Sequence, residues 1–259
     1  MPSKTTRVCL AAGVAGLMTL LALRRRRKPR DPPLAPIVIF DLDGTLLDTD
    51  ANLTQAVLAG LRAVDVHPTA DAVKASMNGG PLDEYFLRFA GVSAADAPAR
   101  FEAFKAAFLA APESQMGGPA FASVPDALDA TRESAHRMAV ATTKPSVIAV
   151  DDLKLVGLAQ AFDHVQGTDY DKGMKPKPAP DVILAALEGV GGRGGESGRR
   201  PVVYVGDTQR DVRAARAAGA VPVSVCYQPG RRATVESWGA DAIIGDMAEL
   251  PSAIARLVG

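Results

Sequence analysis

The stretch Ile37-Val38-Ile39-Phe40-Asp41-Leu42-Asp43-Gly44-Thr45 decides how this chain reads. Its continuous apolar opening, rich in β-branched residues, predicts a strand covered on both faces, as in a parallel sheet. The strand runs directly into two aspartates two residues apart. In open parallel sheets ligands bind beyond the carboxyl ends of the strands, so these side chains emerge where chemistry is expected. Asp-Gly alone is an ordinary turn. Two carboxylates at one strand end repel each other, however, and that arrangement suits a cation site or an acid/base pair better than a structural role.

Further along, Met138–Ala141, Val202–Val205 and Val221–Val225 have the same strand character, and Ala242–Gly245 has a weaker form of it. Helical patterns over Ser146–Val156, Asp181–Leu187 and Asp211–Ala218 separate them. The first two begin just after Pro145 and Pro180, and Gly157 and Gly219 stop the first and third. Strand–helix alternation predicts an α/β fold with a mostly parallel, Rossmann-like sheet. The segment from about 51 to 111 is different, with no strand-like run. There Leu82, Tyr85, Phe86 and Phe89 recur at i, i+3, i+4 and i+7, and Phe101, Phe104 and Phe108 repeat the spacing. These aromatics are expected to form a helical core. The expected organisation is a catalytic core of residues 36–50 and 120–259, interrupted by a small helical insert at 51–119. A terminal segment, residues 1–35, precedes it.

The later strands also end in residues suited to phosphate chemistry. Ala141 leads into Thr142-Thr143-Lys144-Pro145, a hydroxyl-rich helix start where free N–H groups attract anions. Lys175-Pro176-Lys177-Pro178-Ala179-Pro180-Asp181 holds lysines between prolines just ahead of a helix. Val205 leads into Gly206-Asp207-Thr208-Gln209-Arg210-Asp211, two acids four apart across a strand–helix junction. Carboxylate oxygens are the ligands Mg²⁺ prefers. A tract at 191–198, Gly-Gly-Arg-Gly-Gly-Glu-Ser-Gly, lacks the preceding strand and following Lys-Ser/Thr of a phosphate loop, and reads as a surface loop.

From Ile37 to the C-terminus this set resembles the haloacid dehalogenase (HAD) superfamily. Asp41-Leu42-Asp43-Gly44-Thr45 matches its first motif, DxDGT, and Thr142 falls at the threonine of the second. Lys177-Pro178-Ala179-Pro180-Asp181 fits the KPxPD form of the third better than Lys175 does, and Gly206-Asp207 through Asp211 matches GDxxxD. The helical insert looks like the family's C1-type cap. Thr142-Thr143-Lys144-Pro145 and Asn78-Gly79-Gly80-Pro81 look like the phosphoglycolate phosphatase group. The resemblance implies an Mg²⁺-dependent phosphatase acting on a small phosphorylated metabolite. Asp41 would be the nucleophile, Asp43 the acid/base, and Thr142 and Lys177 the holders of the transferring oxygens. Thr143, Lys144, Gly44 and Thr45 would contact substrate. The metal would be held by Asp41, the Asp43 carbonyl and Asp207, with Asp211 supporting it. A phosphosugar mutase, a pyrophosphatase or a nucleotidase would keep the same core residues. A membrane-tethered adaptor without catalysis is the reading from another class, and the filled catalytic positions argue against it.

Composition sets the outer bounds. The chain of 259 residues carries a formal net charge of +0, which excludes a general polyanion binder and gives no reason to expect nucleic acid as a partner. Two cysteines far apart, Cys9 and Cys226, make a disulfide framework a poor fit. The first acidic residue is Asp31, whereas Lys4, Arg7 and the basic run 24–30 flank the apolar stretch Val8–Leu23. That stretch is expected to contact a membrane as an anchor, leaving the enzyme on the cytosolic side by the positive-inside rule. A cleaved mitochondrial or plastid targeting peptide is the alternative.

Overall fold

Six strands form a single sheet in the order β3-β2-β1-β4-β5-β6, and every neighbouring pair is parallel. They are β1 (Ile37–Phe40), β2 (Arg137–Ala141), β3 (His164–Gln166), β4 (Val202–Gly206), β5 (Val221–Val225) and β6 (Ala242–Ile244). The structure is a computed structural model, and it describes residues 34–115, 117–192 and 199–259. The α/β fold expected from the alternation is the fold observed. β3 is the strand that periodicity does not reveal, because three residues of mixed polarity at a sheet edge leave no apolar run.

Period-two alternation divides β1 between two cores. Val38 and Phe40 pack with Met138, Val140, Val203 and Val205 on one face, while Ile37 and Ile39 pack with Ala139, Ala141 and Tyr204 on the other. All four β1 side chains are fully buried. Burying each is worth roughly 1.5–3 kcal/mol, which makes this strand the least movable element of the sheet. Register does the rest. Phe40 lies level with Val140 on one side and Val205 on the other, so Asp41, Thr142 and Asp207 leave adjacent strands at the same edge.

The α-helices of five residues or more are α1 (Asp50–Arg62), α2 (Ala70–Ala75), α3 (Leu82–Ala90), α4 (Pro98–Ala110), α5 (Val124–Ser134), α6 (Ser146–Leu155), α7 (Asp181–Gly189), α8 (Gln209–Ala218), α9 (Arg232–Glu236) and α10 (Leu250–Val258). Helices α1 to α4 fall between β1 and β2 and share their own core. Phe86 sits centrally, 5.4 Å from Phe101 and 5.5 Å from Phe104 between ring centroids. Helix α8 begins with a reciprocal cap: the Thr208 hydroxyl accepts from the Asp211 N–H, and the Asp211 carboxylate accepts from the Thr208 N–H.

The expected membrane placement is corrected. No helix among the described residues is long and apolar enough to cross a membrane. The segment 8–23 lies outside the described residues. The Gly-rich tract at 193–198 likewise lies outside the described residues.

Candidate active site

Asp41 ends β1 with its N–H bonded to the Val205 carbonyl at 2.8 Å, which ties the first strand end to β4. Three residues later Gly44 takes a left-handed conformation, φ +75°. A Cβ there would come within 2.5 Å of the Asp207 carboxylate, so only glycine lets the β1 turn close onto the β4 turn. Thr45 completes that closure by donating its hydroxyl to Asp207 Oδ1 at 3.1 Å.

Lys177 occupies the middle of this cluster and is 1% exposed, which for an ammonium demands partners. Its Nζ lies 2.7 Å from Asp41 Oδ1 and 2.6 Å from Asp211 Oδ1, and it donates to the Tyr204 hydroxyl at 3.1 Å. Lys175 is exposed. Of the two lysines open in the sequence, Lys177 is therefore the one brought to the aspartates. Tyr204, which no motif singled out, donates to the Ala141 carbonyl at 2.9 Å and so joins β4 to the end of β2.

The electrostatics follow from crowding acids at one sheet edge. Burial pushes the Asp41 carboxyl up to about 7, with Lys177 pulling against it and Asp211 and Asp43 adding to it. Burial, then Asp211 and Asp41, hold Asp207 well above the usual carboxylate range. Burial works to lower Lys177, but Asp211 and Asp41 outweigh it and hold the ammonium above its ordinary value. One lysine thus faces three acids, an excess of negative charge that calls for a cation. Asp41, Asp207 and Asp211 place carboxylate oxygens within 4.8 Å of one another, and an all-oxygen set of this kind fits Mg²⁺. Asp211 is already committed. Its Oδ1 accepts from Lys177, and its Oδ2 accepts from the Thr208 N–H and hydroxyl. That leaves Asp41 and Asp207 the freer donors.

The remaining expected residues separate into two groups. Thr142 is buried at the end of β2, where its Oγ1 accepts the Lys144 N–H at 3.2 Å. The Asp43 side chain is not one of the clustered carboxylates; its Oδ1 accepts from Lys144 Nζ at 2.8 Å. Lys144 donates also to Asp152 Oδ2 at 2.6 Å. Lys144 was expected to contact substrate, yet two of its three N–H groups go to carboxylates of this chain. Thr143 donates to the Gly79 carbonyl at 3.3 Å, so the Asn78–Pro81 loop lies against the second motif. Arg210 pairs with Glu84 of α3 and donates to the Lys177 carbonyl at 2.9 Å. Asp152, Tyr204 and the Glu84–Arg210 pair went unread in the sequence. Asp152 left one trace there, an acid on the same helix face as the apolar Ala149.

A cavity of about 170 Å³ opens beside Gly44 and Asp207, with Tyr227, Gln228 and Arg231 on its far side. A larger one of about 420 Å³ belongs to the helical segment around Asn78 and Tyr85 and touches none of the clustered carboxylates.

The comparisons with known proteins agree with this fold. Residues 38–225 match the family model described as haloacid dehalogenase-like hydrolase. The phosphoglycolate phosphatase of Rhodospirillum rubrum is 34% identical over 82% of this chain and 88% of its own length. The probable phosphatase IndB of Dickeya dadantii is 31% identical over 75% of this chain and 82% of its own. Among solved structures, a predicted phosphatase from Clostridium acetobutylicum superposes with a TM-score of 0.72 at 25% identity, covering 86% of this chain and 100% of that one. The chain belongs to the haloacid dehalogenase-like hydrolases and is an enzyme that hydrolyses phosphate esters.

Proposed function

We propose that this hydrolase is an Mg²⁺-dependent phosphatase for a small phosphorylated acid, and that it works through an aspartyl-phosphate on Asp41. The observation that carries the reading is the meeting of Asp41, Lys177 and Asp207 at one sheet edge, with Lys177 Nζ 2.7 Å from Asp41. The Asp41 carboxylate attacks phosphorus, and the bond from phosphorus to the ester oxygen breaks. Asp43 gives its proton to the departing alkoxide. It then takes a proton from the water that attacks the aspartyl-phosphate, which returns Asp41 as a carboxylate and releases phosphate. Lys177 and the Thr142 hydroxyl hold the transferring oxygens, and Lys177 neutralises charge as it develops. Asp41, Asp207 and the Asp43 carbonyl would hold Mg²⁺, with Asp211 behind them. When bound, the ion supplies the positive charge that lets a carboxylate approach a phosphate dianion.

Phosphate release is expected to stop in EDTA and return with Mg²⁺, with Ca²⁺ a poor substitute because it accepts looser and higher coordination. Full activity in a metal-stripped sample would remove the roles given to Asp207 and the Asp43 carbonyl.

One observation supports a small acidic substrate: the Rhodospirillum relative is a phosphoglycolate phosphatase. Against a panel of phosphate esters, kcat/KM for phosphoglycolate should exceed that for a neutral ester of similar size by about tenfold or more, the worth of one charge-assisted hydrogen bond. Equal efficiency on the two would sink the substrate assignment. An isomerised phosphosugar in place of free phosphate would point to a mutase.

A further inference from the structure

Asp152 belongs to none of the motifs, yet it is only 3% exposed on a helix face it shares with the buried Ala149. A carboxylate in that position is costly unless it is paired. Its partner is Lys144, 2.6 Å away, and the same ammonium reaches Asp43 at 2.8 Å. One lysine therefore bridges the acid placed beside the reacting centre and a second acid anchored in a helix.

The anchor is built on both sides. Gly117 packs against the Asp152 carboxylate so closely that a Cβ would lie 2.8 Å from Oδ1. Gly117 is left-handed, φ +56°, and its carbonyl accepts from Asn52 Nδ2 of α1 at 2.6 Å. The loop that closes over Asp152 is thus tied to the helix that follows the DxDGT turn. At the other end the Lys144 N–H bonds Thr142 Oγ1, which links the lysine backbone to the second motif. A lysine stem has several free rotamers, and an ammonium held by a single carboxylate would carry that carboxylate through them. Held by two, it has one place to be.

We infer that Asp152 is a positioning residue for proton transfer by Asp43, acting through Lys144. This rests on the reading of Asp43 as the group that protonates the leaving alkoxide. The alternative is that Asp152 only satisfies a half-buried lysine. The two differ in how the loss depends on the leaving group, because p-nitrophenolate departs without a proton and a simple alkoxide does not.

The test measures kcat/KM, which reports only the steps through formation of the aspartyl-phosphate, on p-nitrophenyl phosphate and on an alkyl phosphate for the full chain with Mg²⁺, comparing wild type with Asp152→Asn, Lys144→Met and Asp43→Asn. Asp152→Asn keeps the shape of the anchor and removes its charge. It should lower kcat/KM on the alkyl ester by about tenfold to a hundredfold, the range expected when a reacting group is misplaced. On the p-nitrophenyl ester kcat/KM should fall less than about threefold, since phosphoryl transfer to Asp41 needs no general acid there. Lys144→Met should repeat the split, and Asp43→Asn should exceed it. Thermal melting of each variant checks that the fold is retained, and Lys144→Met carries the test if Asp152→Asn melts early. Equal losses on both esters, or no loss, for the Asp152 and Lys144 variants while Asp43→Asn splits them would overturn the proposal alone. Equal losses for Asp43→Asn would overturn the reading of Asp43 and the proposal with it.

Discussion

Asp41→Asn is expected to lower phosphate release by a factor on the order of 10⁴ or more, as removal of a nucleophile does in other covalent mechanisms. The amide occupies nearly the same volume, keeps an oxygen near Lys177 and cannot attack phosphorus. The fold should stay intact, and the metal-free variant should melt no lower than wild type. Burial and the neighbouring carboxylates hold Asp41 up to about 7 against an ordinary 3.8, so its charge is a burden on the folded state near neutral pH. Asparagine removes that charge, and Lys177 retains Asp211 at 2.6 Å. Turnover above about 1% of wild type would exclude Asp41 as the nucleophile, since an amide cannot take its place. A large fall in melting temperature would mean that the Asp41–Lys177 pair holds the sheet edge together.

Much of this site was legible in the sequence because its parts are local. Ile37–Phe40 announces a buried strand, and the aspartates follow it without a break; the same holds at Ala141-Thr142 and Val205-Gly206-Asp207. The fold then brings strand ends together by register, which a parallel alternation already implies. The illegible parts depend on pairing across long sequence separations. Nothing near Asp211 in the chain says that its carboxylate is spent on Lys177, 34 residues away, rather than offered to a metal. Lys144 sits where a substrate contact would be read, and only the fold reveals that Asp43, 101 residues distant, takes one of its hydrogens. Asp152 left only a faint trace for the opposite reason, since an acid within an ordinary helix is usually solvated. Strand β3 was missed because His164, Val165 and Gln166 form a half-buried edge with no apolar signature.

Lys177→Met separates the structural share of the site from the catalytic share. Methionine retains most of the apolar stem and removes the only charge within 3 Å of both Asp41 and Asp211 among the described residues. Leaving buried carboxylates without their cation costs about 3–5 kcal/mol. For a chain of this size that corresponds to a melting temperature lower by roughly 10 °C. The deficit should depend on pH with a definite sign. With its folded value already near 7, Asp41 keeps a proton that the unfolded chain releases above 3.8, so its contribution to stability is present below 3.8 and is lost as the pH rises through about 7. Removing Lys177 pushes the folded value higher still. In EDTA the variant should therefore melt closer to wild type near pH 4, where folded Asp41 keeps its proton with or without the lysine, and far below it at pH 8. Mg²⁺ should restore part of the loss at pH 8 by supplying the missing charge. Activity should fall about 10²–10³-fold even with Mg²⁺, the cost of losing a preorganised donor to the transferring oxygens. A melting deficit of the same size at both pH values would mean that Lys177 stabilises by packing alone, and the electrostatic account of this sheet edge would fail.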